Sequence, residues 1–240
     1  MKKILIIGRN GQVGWELHRS LQSHGEIIAA GHALFELSDP ESLRAPLREL
    51  RPDIIVNAAA YTAVDQAEKE EALATRINGE SVKVLAEEAE RLNALLVHYS
   101  TDYVFDGSKP EPYTEADPTN PRNAYARSKL AGEAALQSSK AAWLCIRTSW
   151  VYAARGRNFL RTMLRLAAER EHLRIVDDQI GAPTSARLIA DATVHMIRRA
   201  QRIRRAGEPF PSAIYHLTAQ GSTSWHGFAS RIVEPWAVRW

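Results

Sequence analysis

The chain has 240 residues, of which 45% are hydrophobic and 25% are charged, a composition typical of a globular protein and not of a disordered one. The formal net charge is +3, and five arginines lie between residues 198 and 205; the remainder is nearly balanced, which argues against nucleic acid as a partner. No apolar stretch approaches the roughly 18 to 20 residues of a membrane span, and the apolar run after residue 3 is too short for a signal peptide. We therefore predict a cytoplasmic protein without a membrane partner.

Strand-like apolar runs alternate with helical patterns through the first 150 residues. The apolar runs are residues 3–7, 26–30, 53–57, 95–99 and 144–148. Amphipathic patterns predict helices at residues 13–23, 40–50, 71–92 and 124–137. Continuous β-branched runs suit strands that helices cover on both faces. The order therefore predicts an α/β fold with a doubly wound, Rossmann-like parallel sheet.

Beyond residue 157 the pattern is looser. It predicts a helix at residues 159–169, a short strand at 173–176, a turn at 181–184 and a helix at 187–199. We interpret residues 157–240 as a smaller substrate-side lobe, of mixed α/β structure, beside a dinucleotide-binding domain of residues 1–156. The last six residues, 235–240, show no helix or strand pattern.

A glycine-rich turn follows the first predicted strand and opens a helix. Gly8, Gly11 and Gly14 have the spacing G-x-x-G-x-x-G, not the more common G-x-G-x-x-G. Glycines let the backbone turn sharply and approach a pyrophosphate, and the helix N-terminus supplies N–H groups to that anion. A tight turn without a ligand is the alternative, but the strand-turn-helix context favours a dinucleotide site.

The end of the second predicted strand bears on the choice of cofactor. It reads Ala30-Gly31-His32, without the carboxylate that would bind the adenosine ribose 2′-hydroxyl. Arg9 and His32 could face a 2′-phosphate, although either could also be a plain surface residue. The pattern favours NADPH over NADH.

Tyr125 and Lys129 are four residues apart on a predicted helix, so both side chains lie on one face. A nearby cation stabilises a phenolate and lowers the pKa of the phenol, which lets a tyrosine pass a proton to a developing alkoxide. Such pairs also occur by chance. Here Ser100 and Thr101 end a predicted strand, where doubly wound folds place their sites, and either hydroxyl could bind a substrate carbonyl.

Five segments in this order resemble the extended short-chain dehydrogenase/reductases, and within them the dTDP-4-dehydrorhamnose reductase family. They are the glycine turn and residues 57–65, 100–107, 125–129 and 147–152. The likeness runs from Lys3 to about Phe228. It implies that NADPH or NADH reduces the 4-keto group of a small-molecule nucleotide sugar, dTDP-6-deoxy-L-lyxo-4-hexulose, to give dTDP-L-rhamnose.

The resemblance also implies roles for matching residues. Tyr125 would be the proton donor, Lys129 its electrostatic partner and ribose ligand, and Thr101 the hydroxyl that orients the ketone. The residues implied to bind the cofactor, besides Tyr125 and Lys129, are Gly8, Gly11, Gln12, Val13 and Gly14 at the pyrophosphate, Glu36 and Leu37 near the adenosine, and Ala60, Tyr61 and Thr62 at the nicotinamide ribose. Those implied to contact the nucleotide sugar are Thr101, Asp102 and Trp150. A core aromatic is the alternative for Trp150, and a structural cap is the alternative for Asp102.

The chain departs from the family pattern in several places. The family usually has an aspartate where Glu36 stands, which should change little. Some members form dimers through a bound metal such as Mg²⁺; Glu16 matches one ligand, but Arg187 stands where another carboxylate would be expected. We therefore predict no metal site, and a homodimer remains open. The family continues for several elements beyond Phe228, so we expect a truncation, or a changed reading frame after about Ile232, and an incomplete sugar-nucleotide lobe.

Two other interpretations remain. Another nucleotide-sugar short-chain enzyme, an epimerase or a dehydratase, would share most of the motifs, but dehydratases usually carry a Glu directly after the aspartate, where Tyr103 stands here. A catalytically silent regulatory subunit would keep the dinucleotide fold. The intact Thr101, Tyr125 and Lys129 argue against that second alternative.

Overall fold

The structure is a computed structural model that describes residues 1–208 and 210–237. Its centre is a sheet of six strands in the order β2-β1-β3-β4-β5-β9, and every neighbouring pair is parallel. The strands are β1 (Lys3–Ile7), β2 (Glu26–Ala30), β3 (Ile54–Asn57), β4 (Leu95–Thr101), β5 (Ala142–Thr148) and β9 (Ala213–His216). The predicted α/β fold with a doubly wound parallel sheet is confirmed.

The described residues form nine α-helices, most of which pack against the two faces of this sheet. They are α1 (Gln12–Ser20), α2 (Arg44–Leu50), α3 (Val64–Ala67), α4 (Glu71–Thr75), α5 (Ser81–Leu92), α6 (Ala124–Gln137), α7 (Phe159–Glu169), α8 (Ala186–Arg205) and α9 (Trp225–Ala237). One π-helical turn, Arg76–Glu80, joins α4 to α5, so the predicted helix at residues 71–92 is a single helical run. In the described part of the chain, no helix combines the length and the apolar composition needed to cross a bilayer.

The two faces of the sheet form separate cores because side chains alternate along each strand. Leu5 and Leu96 face the layer of α2, α5 and α6, whereas Ile6 and Val97 face α1 and α8. Residues 54–57 of β3 and 95–101 of β4 are buried throughout. These two strands are therefore covered by side chains on both faces.

Several features beyond residue 157 differ from the sequence prediction. The strand predicted at residues 173–176 is wrong, because no strand among the described residues pairs with this partly exposed stretch; Val176 accepts a backbone hydrogen bond from His226 N–H at 3.0 Å. The strand β9 has no counterpart in the prediction. The helix predicted at 187–199 continues to Arg205, because the arginines of its last turns lie on the solvent side.

A smaller lobe lies beyond β5. The lobe contains two short pairs of strands: β6 (Val151–Tyr152) with β8 (Thr184–Ser185), and β7 (Ile180–Gly181) with β10 (Thr223–Ser224). The helices α7 and α9 pack on each other in the same lobe, while α8 and β9 return to the main sheet. The division after residue 156 stays a prediction. Helix α9 reaches Ala237, and the rest of the unpatterned ending, residues 238–240, lies outside the described residues.

Candidate active site

The glycine turn between β1 and α1 can be built only from glycines at two positions. Gly8 has a φ of +89°, and a Cβ atom there would lie 2.7 Å from the backbone nitrogen of Ala59; a Cβ atom on Gly14 would overlap the carbonyl oxygen of Gly8. Gly11 precedes α1 and has no side chain to cap it. The first-turn N–H groups of Gln12 and Val13 are therefore left for an external acceptor, as a bound pyrophosphate requires.

The end of β2 forms one side of a cavity of about 450 Å³, lined by Arg9, Asn10 and residues 29–34. Arg9 donates from Nη1 to the carbonyl oxygen of Ala29 at 3.3 Å. His32 Nδ1 lies 3.4 Å from a carboxylate oxygen of Glu36, and hydrogen bonds from Ser38 lower the pKa of that carboxyl. This cavity is where an adenosine would lie in a doubly wound fold.

Leu37 differs from the other residues implied to lie near the adenosine. Its side chain is 3% exposed and belongs to the hydrophobic core. It can therefore meet a ligand only through its backbone, whereas the neighbouring Glu36 carboxylate is accessible.

The segment after β3 is hydrogen-bonded to the π-helical turn and, through it, to α6, the helix that carries Tyr125 and Lys129. Tyr61 N–H donates to Asn78 Oδ1 at 2.9 Å, and Asn78 Nδ2 donates to the Tyr61 carbonyl oxygen at 3.0 Å and to Ser128 Oγ at 2.9 Å. The rings of Tyr61 and Tyr125 pack against one cluster of buried alanines. Ala60 and Tyr61 are half-buried and Thr62 is exposed, so this predicted ribose-binding segment borders the site.

Helix α6 begins at the site and brings Tyr125 to the end of β4. Asn123 Oδ1 caps the helix by accepting from Ala126 N–H at 2.8 Å. Burial, with a contribution from the negative charge of Asp102, raises the pKa of Tyr125 to about 12. The phenol therefore stays protonated at neutral pH. The expectation of a lowered pKa for this tyrosine is wrong for the structure as it stands.

The reason for that difference is the position of Lys129. Its side chain is 2% exposed, and its Nζ donates to the carbonyl oxygen of Tyr99 at 2.6 Å and lies 3.2 Å from His98 Nε2. The ammonium is thus turned towards β4. Burial lowers the pKa of Lys129 to about 8.

Thr101 and Asp102 complete the arrangement at the end of β4. The Thr101 hydroxyl donates to Asp102 Oδ1 at 3.1 Å and accepts from Tyr103 N–H at 3.2 Å, so it caps the short turn that follows. Burial raises the pKa of Asp102 to about 6. Asp102 therefore changes charge close to physiological pH.

Two hydroxyls at this edge of the sheet have no partner among the described residues. They belong to Ser100 on β4 and Thr148 on β5, and Thr148 stands opposite Thr101 in the register of the two strands. Buried hydroxyls are normally hydrogen-bonded. Their position at the carboxyl ends of two adjacent parallel strands fits a polar ligand bound there.

Trp150 follows β5 with a φ of 45°. Its indole stacks on that of Trp225, with centroids 3.5 Å apart and planes 9° apart, and Gly181 packs so closely against it that a Cβ atom there would lie 2.5 Å from the ring. One face of the indole is therefore covered by protein. Sugar contact by Trp150 stays a prediction and would need the remaining surface of the ring.

The lobe also contacts the glycine turn directly. Asn158 Nδ2 donates to Gln12 Oε1 at 2.7 Å, and the Arg155 guanidinium lies 3.7 Å from the ring centroid of Trp15. Across the described residues, no group of three or more His, Cys, Asp and Glu side chains is placed to hold a metal ion. Glu16, the single residue that matches a family metal ligand, accepts from Arg19 at 3.1 Å.

The sequence prediction missed two buried polar residues, Asn57 and His98. Each is 1% exposed; Asn57 follows three hydrophobic residues in β3, and His98 lies between Val97 and Tyr99 in β4. A polar residue in a strand with an apolar run indicates a buried hydrogen-bonded group, because burial of an unpaired polar group is costly. This feature of the sequence could have identified both residues.

The chain is similar to known proteins in both sequence and structure. The sequence model of a family described as the RmlD substrate binding domain matches residues 1–239. The dTDP-4-dehydrorhamnose reductase of Burkholderia thailandensis is 56% identical over 98% of this chain and 78% of its own length. That of Escherichia coli K12 is 49% identical over 96% of this chain and 77% of its own length.

Solved structures agree with the sequence comparisons. A dTDP-4-dehydrorhamnose reductase from Clostridium acetobutylicum superimposes with a TM-score of 0.91 at 34% identity, over 98% of this chain and 81% of that one. The Bacillus anthracis reductase in complex with NADP gives a TM-score of 0.90 at 36% identity, over 99% of this chain and 82% of that one.

Proposed function

This chain belongs to the RmlD substrate-binding domain family, and from that premise we propose that it is a dTDP-4-dehydrorhamnose reductase. It reduces the 4-keto group of dTDP-6-deoxy-L-lyxo-4-hexulose to give dTDP-L-rhamnose, with NADPH or NADH as the reductant. The resemblance found in the sequence is confirmed by the close relatives. The observation that carries the proposal is the position of Thr101 and Asp102 at the carboxyl end of β4, beside Tyr103, whose ring packs edge-on against that of Tyr125.

Different residues of the chain have different roles in the ketone reduction. When bound, the nicotinamide supplies a hydride to the carbonyl carbon. The glycine turn and the first-turn N–H groups of Gln12 and Val13 bind the pyrophosphate. Thr101 orients the ketone oxygen, and Tyr125 donates its phenolic proton to that oxygen as it becomes an alkoxide.

The protonation states fit these roles. A Tyr125 phenol whose pKa is about 12 is fully protonated at neutral pH and is available as an acid. An alkoxide is more basic still, so the proton transfer is downhill once the hydride has arrived. Lys129, one helical turn along α6, is the cation that the resemblance assigns to the ribose hydroxyls and to the phenolate that remains, and its ammonium would turn from Tyr99 and His98 to reach them.

The cavity at the end of β2 supports NADPH as the preferred cofactor. Arg9 lines this cavity together with His32, and both can bind a 2′-phosphate. The Glu36 carboxylate, which would suit a ribose hydroxyl, is already paired with His32. The ratio of dissociation constants for NADPH and NADH tests this preference, and Arg9→Ala should bring the two constants closer together.

Several further expectations stay proposals. They are the division after residue 156, the cytoplasmic location and the homodimer. Light scattering of the purified protein would test the homodimer.

The alternatives differ from the reductase at the site. An epimerase or dehydratase would share the glycine turn, but the residue after Asp102 is Tyr103, whose ring packs edge-on against that of Tyr125 with centroids 6.0 Å apart. A catalytically silent subunit would not need Thr101, Tyr125 and Lys129 together, and all three are present. Ketone reduction therefore explains more of the residues found at the site than either alternative does.

The direct test of the site is Tyr125→Phe. We expect turnover to fall by about 10² to 10⁴-fold, the usual contribution of a general acid, while the dissociation constant for NADPH stays close to the wild-type value. Tyr215→Phe on β9 is the matched control and should leave both quantities unchanged. Unaltered turnover in the Tyr125→Phe protein would falsify the role of this tyrosine.

A further inference from the structure

A row of three buried polar side chains crosses from β3 through β4 to α6. Asn57, His98 and Lys129 are each at most 2% exposed. Asn57 Nδ2 lies 3.2 Å from His98 Nδ1, and His98 Nε2 lies 3.2 Å from Lys129 Nζ. Asn57 and His98 have no role in the reaction described above. They are nevertheless connected to Lys129, which has one.

The backbone fixes the direction of the hydrogen bonds in this row. Ala59 N–H lies 3.2 Å from Asn57 Oδ1, and because a backbone N–H can only donate, the amide atom that it meets is the oxygen. The amide NH₂ of Asn57 therefore points at His98 Nδ1 and donates to it. Burial lowers the pKa of His98 well below its usual value, so the ring is neutral and carries its one proton on Nε2.

That proton faces Lys129. An ammonium would present an N–H group to the Nε2–H of His98, donor against donor. An amine would present its lone pair and accept from Nε2–H, while it still donates to the Tyr99 carbonyl oxygen at 2.6 Å. The histidine thus favours the amine over the ammonium, in addition to the effect of burial.

The other ionisable groups near Lys129 do not offset this preference. Glu133, on α6, is bound to Arg147 through Nε at 2.9 Å and Nη2 at 2.6 Å. Cys145 stands opposite His98 in the register of β4 and β5, and burial raises the pKa of its thiol, so it is neutral. The Glu133 carboxylate attracts the Lys129 ammonium only weakly, because the guanidinium of Arg147 already neutralises its charge.

We propose that Asn57 and His98 are positioning residues that fix the Nε2–H tautomer of His98 and thereby make Lys129 a ready proton donor. After Tyr125 has given its proton to the alkoxide oxygen, the Lys129 ammonium turns from the Tyr99 carbonyl oxygen, returns one proton to the phenolate and becomes an amine. The lone pair of that amine then accepts the Nε2–H of His98. The catalytic consequence rests on the proposed function, but the tautomer does not.

The tautomer can be tested by ¹⁵N NMR of the cofactor-free protein labelled at histidine, in which protonated and unprotonated ring nitrogens resonate far apart. The His98 signals are assigned as those missing from the spectrum of a His98→Gln variant. We expect Nε2 to carry the proton and Nδ1 to lack it, without titration between pH 6 and 9. A proton on Nδ1 instead would overturn the proposal, because Lys129 would then donate to Nε2.

The catalytic consequence can be tested with the same variant. A glutamine oxygen can accept from the ammonium, so His98→Gln should raise the pKa of Lys129. The wild-type rate should fall above about pH 8, and in His98→Gln this fall should move up by about one pH unit, with the NADPH dissociation constant unchanged. Cys145→Ala, which alters the neighbouring strand at the same level, should leave the pH profile where it is.

The outcomes separate this proposal from the proposed function. If the reductase rate of a folded His98→Gln protein falls at the same alkaline pH as that of the wild type, the role of His98 is overturned. The reductase assignment would remain intact. If that variant does not fold, the tautomer measured in the wild-type protein decides. If the wild-type protein lacks reductase activity, the NMR result still tests the hydrogen-bond direction on its own.

Discussion

Two acids share the end of β4, and their surroundings move the pKa of each in the same direction. Burial raises the pKa of Asp102 to about 6 and that of Tyr125 to about 12. The negative charge of Asp102 contributes to the higher pKa of Tyr125, so loss of that charge makes Tyr125 a stronger acid. The site is therefore sensitive to pH through a residue that is not itself the proton donor.

This pairing predicts how stability depends on pH. The ordinary pKa of an aspartate is 3.8, so the folded protein binds the Asp102 proton more tightly than the unfolded chain does. The resulting stabilisation is fully present below about pH 4 and is lost as the pH rises through about 6, and each tenfold difference in proton affinity contributes about 1.4 kcal/mol. In the Asp102→Asn protein, this loss of folding stability between pH 4 and 7 should disappear. Urea unfolding of both proteins between pH 4 and 7 measures it, and parallel curves would contradict it.

At the residue scale the sequence supported the identity of the site better than its electrostatics. Motif and spacing pointed to Tyr125, Lys129 and Thr101. The spacing of four residues places two side chains on one face of a helix, but it does not show that the Lys129 ammonium turns away to Tyr99 and His98. Hydrogen bonds between side chains that are distant along the chain leave no periodic pattern in a sequence.

At the element scale, strands with continuous apolar runs were the easiest to predict. The runs at residues 3–7 and 26–30 match the buried strand β1 and the half-buried edge strand β2 residue for residue, because β-branched residues are enriched in strands. The strand β9 is short and only half-buried, so its composition carries little signal. The alternation at residues 173–176 is strand-like, but a strand forms only where a partner is within reach.

The glycine turn gives the sharpest prediction for a single element. Gly14→Ala should abolish NADPH binding, because the added Cβ atom overlaps the Gly8 carbonyl oxygen and must displace the turn. Gly25→Ala is the matched control, since its Cβ atom would overlap the carbonyl oxygen of Lys2, away from the turn.

Both variants should unfold at lower urea concentrations than the wild type. Only Gly14→Ala should lose affinity for NADPH, as measured by fluorescence titration of the folded protein. Equal NADPH affinities in the two variants would show that the turn does not hold the dinucleotide.

At the scale of the whole molecule, the lobe and the main sheet meet at the glycine turn. Gln12 is bound to Asn158, and Trp15 lies against Arg155, so the segment before α7 lies across the start of α1. An aromatic cluster of Trp150, Phe159 and Trp225 then joins α7 to α9. The smaller lobe is thus held together by stacked aromatic rings as well as by its two short strand pairs.

This support predicts a separation between substrate and cofactor binding. Trp225→Ala removes the ring that stacks on Trp150, so it should raise the KM for the dTDP-sugar substantially while the NADPH dissociation constant changes little. Trp225→Phe retains an aromatic ring and should lie between the wild type and the alanine variant. A loss of NADPH affinity equal to the rise in KM would contradict the separation.

The most direct test of the reductase assignment is the absorbance of the reduced nicotinamide in the presence of the wild-type protein. With dTDP-6-deoxy-L-lyxo-4-hexulose supplied, NADPH should be oxidised in step with the formation of dTDP-L-rhamnose. With dTDP-glucose, which has no ketone, the absorbance should remain constant. A constant absorbance with the 4-keto sugar as well, in a protein that binds NADPH, would contradict the assignment.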